Sequence, residues 1–444
     1  MKLSNKTKAT LETILVIGLI LIIPLFFAMK TAAEQNAATN TSVNIEPTIA
    51  DAPVVTQENA PDDNKVIEPK QPPACAFPLD QTTTEQSTPE NYTFFEPQMV
   101  LTPQANDSIV EIVQWLPDNQ RVLLVQNFND TTRQNIELFN PQTGHVQLYA
   151  TRSQNFDPPA WMPGLNGVVY PDMNILNNDT GKEFNRQIWV SQGNPNSLQL
   201  VADNLAQFYV AVKPDGSQIA YQSEKQLSKL DASLKAQTPI IFDPAGWDYR
   251  RSNNSFALSF KTAWRPNTSQ IFFYSYSAGS MGYTYLLDVD SGQLCELNFD
   301  GWAFLGRWSP NGRYLAIVRN QEPSFPANST DLAVMDAVTG KIYTMGVTPE
   351  EMVGRHYVDE IVWAPDNHHL LTLGSVLSFP GCSPDCPKDT RLYLVDFETG
   401  QADPLISQFT ANTSGTNLAW SPDGSKVIAL CPKLCQFFVQ TSGK

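Results

Sequence analysis

Seven times along the chain a proline-centred turn is followed by an apolar run, and six of those turns open on tryptophan. The sharpest copy is WSPDG at 420–424, with VIAL at 427–430. WSPNG at 308 leads into YLAIV, and WAPDN at 363 leads into LLTL. Looser copies begin at 115 (WLPDN), 161 (WMPGLN) and 264 (WRPNT), and VKPDG at 212 has Val212 in place of the tryptophan. Proline fixes φ at about −65°, the value wanted at the second position of a type I turn; Asp or Asn bonds to the local backbone, and Gly relaxes the exit. The aromatic and β-branched run that follows reads as a buried strand, so each copy is strand, tight turn, strand. Six aligned indoles are expected to anchor packing between repeats rather than to hold six ligands.

Successive copies are 46, 51, 52, 44, 55 and 57 residues apart. A period of about 40–50 residues with several strands in each unit predicts a β-propeller. Between the motifs lie two more strand-like runs. Examples are 391–397 RLYLVDF, the turn ETG and 401–406 QADPLI, or 331–336 DLAVMD, VTG and 341–345 KIYTM. Each repeat is therefore a four-stranded meander, a–b–c–d, and the expected fold is an all-β, seven-bladed propeller over 92–444. The last repeat stops after three strands. An open blade exposes a strand edge, so 92–102, YTFFEPQMVLT, is expected to supply the missing d strand and close the ring.

These units, Trp-Ser-Pro-Asp-Gly before an apolar b strand and Leu-Tyr-Leu-Val-Asp before Thr-Gly, resemble the WD40-like (PD40) repeats of the TolB propeller family. The resemblance spans roughly 108–440 and implies a propeller that serves as a binding or scaffolding platform in the cell envelope.

Ahead of the repeats, residues 13–29 (TILVIGLILIIPLFFAM) carry no charge, and Lys2, Lys6 and Lys8 precede them. As a helix this run spans about 25 Å, enough to cross a bilayer core of about 30 Å with local thinning. Lysines before the run place the tail 1–12 in the cytoplasm and everything after the anchor outside. The rival reading is a cleaved signal peptide ending at the small residues Thr31-Ala32-Ala33. From 30 to 91 follows a disordered acidic linker: residues 31–91 hold ten Asp or Glu against two Lys and one aromatic, Phe77. Such a composition buries too little apolar surface to offset its ordering entropy. The chain's formal charge of −16 argues against a nucleic-acid partner.

Six cysteines outside a membrane favour disulfides. Cys431 and Cys435 flank a b–c turn, and Cys382 and Cys386 bracket Ser-Pro-Asp in a b–c loop. Cys75 and Cys295 then pair by elimination, tying the end of the linker to blade four. The alternative is a four-thiolate zinc site on the two CxxxC loops.

No catalytic constellation emerges, and no cofactor is implied. AGSMG at 278–282 imitates a serine-hydrolase elbow but lies between two strands, where that elbow needs a helix after it. His145, His356, His368 and His369 read as solvent-facing or strand-edge residues. Glu111, Lys261, Arg307, Asp359 and Glu360 fall on or near a strands and are candidates to line the central channel, where paired carboxylates act in some propeller hydrolases and lyases. The expected function is a membrane-anchored, extracytoplasmic module that binds a protein partner in the cell envelope. The alternative is an envelope hydrolase or lyase acting on carbohydrate or peptide at the channel mouth. Uniformly tight a–b turns predict one flat face, and longer b–c connections (171–184, 223–237, 320–329, 375–389) put the binding surface on the other. There Leu227, Leu230 and Leu234 have helical spacing within 226–236, and Phe325 and Phe379 add apolar groups on neighbouring loops.

Overall fold

The computed structural model describes residues 73–80, 88–100, 108–128, 133–153, 158–178, 181–203, 210–222, 227–231, 234, 237–239, 254–258, 264–277, 283–299, 302–320, 331–345, 355–377, 388–407, 418–430 and 434–442. They form seven antiparallel sheets with the simplest connectivity, each strand beside its neighbour in sequence. Blade one is Ser108–Trp115, Val122–Phe128, Arg133–Phe139 and Val146–Ser153, its a to d strands. Blades two to six repeat the meander over 160–202, 210–239, 254–297, 302–345 and 355–407. The seventh sheet runs Leu418–Trp420, Lys426–Leu430 and Leu434–Ser442. Beside its last strand lies Asn91–Phe94, antiparallel, with Asn91 opposite Ser442 and Phe94 opposite Val439.

The turn chemistry explains the regularity. Each a–b turn holds one left-handed residue, and it is Asn or Gly every time: Asn119, Asn166, Gly216, Asn267, Gly312, Asn367 and Gly424. These side chains tolerate φ above zero where a β-branched residue does not. The c–d turns of blades one, four, five and six follow a second rule. Asn140, Asp288, Asp336 and Asp396 each accept a backbone N–H from two residues on. Gly144, Gly292, Gly340 and Gly400 then exit with positive φ.

Stacking builds the core. Among the described residues the apolar side chains divide into seven clusters, each drawn from two adjacent blades. One joins Ala419, Ile428 and Leu434 of blade seven to Val110, Ile112 and Trp115 of blade one. Because every blade is covered on both sides, the b strands are continuous apolar runs, as in Val122–Val125, rather than alternating ones.

Three sequence expectations change here. The helix expected over 226–236 is a c strand, Leu227–Asp231, followed by a turn. The long b–c loop of blade two is a hairpin, Gly167–Asn178 with Gly181–Ser191, in which Asn178 faces Gly181. The acidic linker also contains a docked strap, Pro73–Asp80. Cys75 N–H donates to Glu296 O at 2.9 Å, and Glu296 N–H donates back to Pro73 O at 2.8 Å, so the strap pairs in parallel with the d strand of blade four. Cys75 and Cys295 are disulfide-bonded there. Leu79 N–H donates to Ala337 O of blade five at 2.9 Å, and Asp80 pairs with the fully buried Arg265 at 2.6 Å. Composition does not show this, because the strap is held by backbone bonds, one ion pair and a covalent link.

Cys435 is buried and disulfide-bonded. Cys431, Cys382 and Cys386 lie outside the described residues, as does the apolar run 13–29. Among the described residues no helix is long and apolar enough to cross a membrane.

Candidate functional site

The C-terminal ends of the a strands converge on a cavity of about 420 Å³ at the a–b turn face of the ring. All six turn tryptophans reach its wall, with Val212 at the seventh place and turn prolines such as Pro117, Pro163, Pro214 and Pro310 between them. The indoles are largely buried between blades, which bears out their structural role. Trp115 Nε1 donates to Ala419 O of the preceding blade at 3.1 Å, and Trp363 Nε1 donates to Arg307 O at 2.8 Å. Trp264 and Trp420 instead donate within their own turns, to Thr268 O and Gly424 O. The turn face is therefore a funnel rather than the flat surface expected.

Two of the residues that precede a turn tryptophan, Gln114 and Arg307, line the cavity and bond to the next blade. Gln114 Oε1 accepts from Trp161 N–H at 3.5 Å, and Arg307 Nε donates to Ile361 O at 3.3 Å. The Arg307 guanidinium also pairs with Glu360 at 3.6 Å, while only 1% of the Glu360 side chain is exposed. Burial pushes Arg307 down to about 10, against the partial support of the Glu360 charge.

Of the candidate channel residues, then, Arg307 lines the cavity and Glu360 stands behind it. The a strand of blade six shows why: register shifts between Val358 and Glu360, leaving Asp359 as an extra residue that resets the alternation. Glu111 accepts from Asn127 Nδ2 at 2.7 Å and belongs to a polar relay across blade one. That relay continues through Gln134 to Arg152, whose Nε donates to Gln134 Oε1 at 2.9 Å. The side chain of Asp359, and residues Lys261, Phe325 and Phe379, lie outside the described part of the structure.

The three leucines assigned to the opposite face are buried. Leu227 belongs to the cluster between blades three and four, Leu230 and Leu234 to the one between blades two and three. A spacing of three places residues on one side of a helix but on opposite sides of a strand. Since both sides of this blade are covered, the same pattern serves the core.

Of the histidines expected at the surface, His145 is exposed, while His368 and His369 are enclosed and the side chain of His356 lies outside the described part. His368 Nε2 lies 3.0 Å from Asp396 Oδ1, and His369 Nδ1 lies 2.6 Å from Asp366 Oδ2. His368 precedes the b strand His369–Leu377, so strand alternation does not separate the two rings, whose centroids are 5.0 Å apart. The DNHH string signalled this cluster; the partner Asp396 arrives only with the blade's meander.

No family model matches this sequence, and neither does any curated protein. Among solved structures, an oligogalacturonate lyase in complex with manganese is similar with a TM-score of 0.50 and 12% identity, over 80% of this chain and 98% of that one. An oligogalacturonate lyase from Vibrio parahaemolyticus gives 0.48 and 13% over 80% and 98%. The TolB structure from Agrobacterium tumefaciens gives 0.40 and 16% over 71% and 100%. At such identities the likeness is one of fold.

Proposed function

We propose that this chain is a protein-binding module of the cell envelope: a TolB-like, WD40-like propeller closed into a ring by its N-terminal strand and held outside the cytoplasm by a single-pass anchor at 13–29. The observation that carries the binding role is the cavity at the a–b turn face. Its walls are tryptophan, proline and aliphatic residues, and its two charged side chains already have partners: Arg307 pairs with Glu360 and Lys213 with Asp215 at 3.5 Å. Among the described lining residues there is neither a carboxylate nor a histidine. A concave apolar wall with few polar groups suits capture of a peptide segment better than acid–base work on a sugar. The contact site is accordingly the funnel, in preference to the b–c loops.

The test is capture of a membrane partner by the full-length chain from detergent extracts, followed by substitution of the half-buried wall residues Val212 and Ala160. Val212→Arg and Ala160→Arg should leave the circular dichroism spectrum intact and remove capture. If capture survives both and is lost on shortening the blade-six loop 376–388, the binding surface is the opposite face.

A further inference from the structure

Blade six carries a cluster that the binding role does not use. In blades four to six, the first residue after the a–b turn faces the carboxylate that ends the c strand. In blade four this slot holds Ser269 and Asp288, with Oγ 2.5 Å from Oδ2. In blade five it holds an ion pair, Arg313 with Asp336 at 3.0 Å. In blade six the slot holds His368 and Asp396, and the next residue, Gln270 or Tyr314 elsewhere, is a second imidazole.

We propose that His368, His369 and Asp396 bind a divalent first-row transition-metal ion, with Zn²⁺ the best chemical match. Their donor atoms all lie within 4.8 Å of one another. The 3.0 Å between His368 Nε2 and Asp396 Oδ1 is close to the separation of two adjacent ligands on an ion with bonds of about 2.0–2.2 Å. Two imidazoles and one carboxylate suit zinc and its neighbours, and leave positions for water. The surroundings also resemble a built site. Asp366 Oδ2 holds His369 Nδ1, orienting that ring as second carboxylates do behind metal-bound histidines. Asp366 is itself fixed by the N–H groups of His368 and His369, at 2.9 and 3.0 Å. Asp396 is fixed by the N–H groups of Glu398 and Thr399. The carboxylates are thus held by backbone before any ion arrives, while the Asp396 side chain keeps 23% of its surface open to solvent.

Bound there, the ion ties the start of the b strand to the end of the c strand. It also steadies Asp366, which accepts Glu90 N–H at 3.2 Å from the N-terminal segment. The metal is a structural staple at the seam of blade six and that segment.

The experiment uses the full-length chain in detergent, stripped with chelator and titrated with Co²⁺ as a visible probe, then with Zn²⁺ in competition. One equivalent of Co²⁺ should bind with d–d bands free of thiolate charge transfer, and Zn²⁺ should raise the thermal midpoint. Asp366→Asn, which removes no ligand, should weaken binding by about 10–100-fold; His369→Gln should weaken it at least as much, with the ion-free midpoint reporting whether either variant folds. Absence of saturable binding to the parent chain overturns the proposal, as does a thiolate band, which moves the ion to cysteines. Less than about tenfold weakening in both variants also overturns it.

Discussion

Trp363 and Arg307 hold each other across the seam of blades five and six. The indole N–H donates to the Arg307 carbonyl at 2.8 Å, while the Arg307 side chain reaches forward to Ile361 O and Glu360. The residue that accepts the anchor of one blade is thereby the clamp on its strand.

Arg307→Met should therefore be costly. It removes the Arg307 charge from beside the buried Glu360 carboxylate, an effect of about 3–5 kcal/mol when a buried pair loses one partner. The double variant with Glu360→Gln should recover much of this. Urea unfolding of all three chains measures it, and a double variant no more stable than Arg307→Met alone would show that the pair is not the cause.

Gly306, one residue earlier, permits the blades to approach. A Cβ built there falls into the ring of Phe272 on blade four, a fully buried core side chain. Gly306→Ala should cost about 1–3 kcal/mol by overpacking. The thermal midpoint should fall accordingly, and Gly306→Ala with Phe272→Leu should restore part of it.

Acid should loosen the turns. Burial alone would raise Asp336, Asp366 and Asp396, but hydrogen bonds outweigh it: from Arg313 and Val338 N–H, from His369 and the N–H groups of 368 and 369, and from Thr399 N–H with the His368 charge beside it. All three carboxyls lie below their ordinary value. A depressed carboxyl contributes stability that is complete above the unfolded pKa, about 3.9, and is lost as pH falls through the lower folded value. Glu137 and Glu296, raised by burial, work in the opposite sense but are outnumbered, since Asp118, Asp215, Asp288 and Asp423 are also held below their ordinary value by hydrogen bonds. Stability should hold from neutral pH down to about 5 and fall steeply below about 4. Asp336→Asn should be weaker at pH 7 and should lose less on acidification, as read by tryptophan fluorescence in urea.

The Cys75–Cys295 link closes a chain segment with a sequence separation of 220. Loops of that size constrain the unfolded state strongly, and removing a native bridge commonly costs about 2–5 kcal/mol. The pair Cys75→Ser and Cys295→Ser should unfold at lower urea and expose 73–80 to limited proteolysis, with the blade spectrum unchanged.

The anchor is checked by alkaline carbonate extraction. The intact chain should remain in the membrane pellet with its N-terminal sequence preserved. A mature chain beginning at Glu34 would establish cleavage instead.

Blade number, strand order and turn face were legible in the sequence because they rest on local chemistry: Pro-Asp/Asn turns, Gly or Asn exits and indoles at a fixed place. What escaped depends on contacts between repeats. Leu227 and Leu230 mimic a helix because two opposite faces of one strand are both covered. Glu360 turns from the channel because one extra residue at Asp359 shifts the register. His368 reads as a surface residue because its carboxylate partner Asp396 is 28 residues away in sequence. The funnel was missed for a related reason: short turns say nothing about how the strands beneath them converge.

The position of the strap decides where force enters the molecule. Residues before Cys75 connect to the ring through a covalent bond to blade four, three blades away from the sheet that receives Asn91–Phe94. A pull on the N-terminal side is carried by that bond into the d strand of blade four. The short strand Asn91–Phe94, whose hydrogen bonds would otherwise unzip one after another, carries no load. The ring is thus moored at one point and latched at another, so that tugging on the mooring does not open the latch.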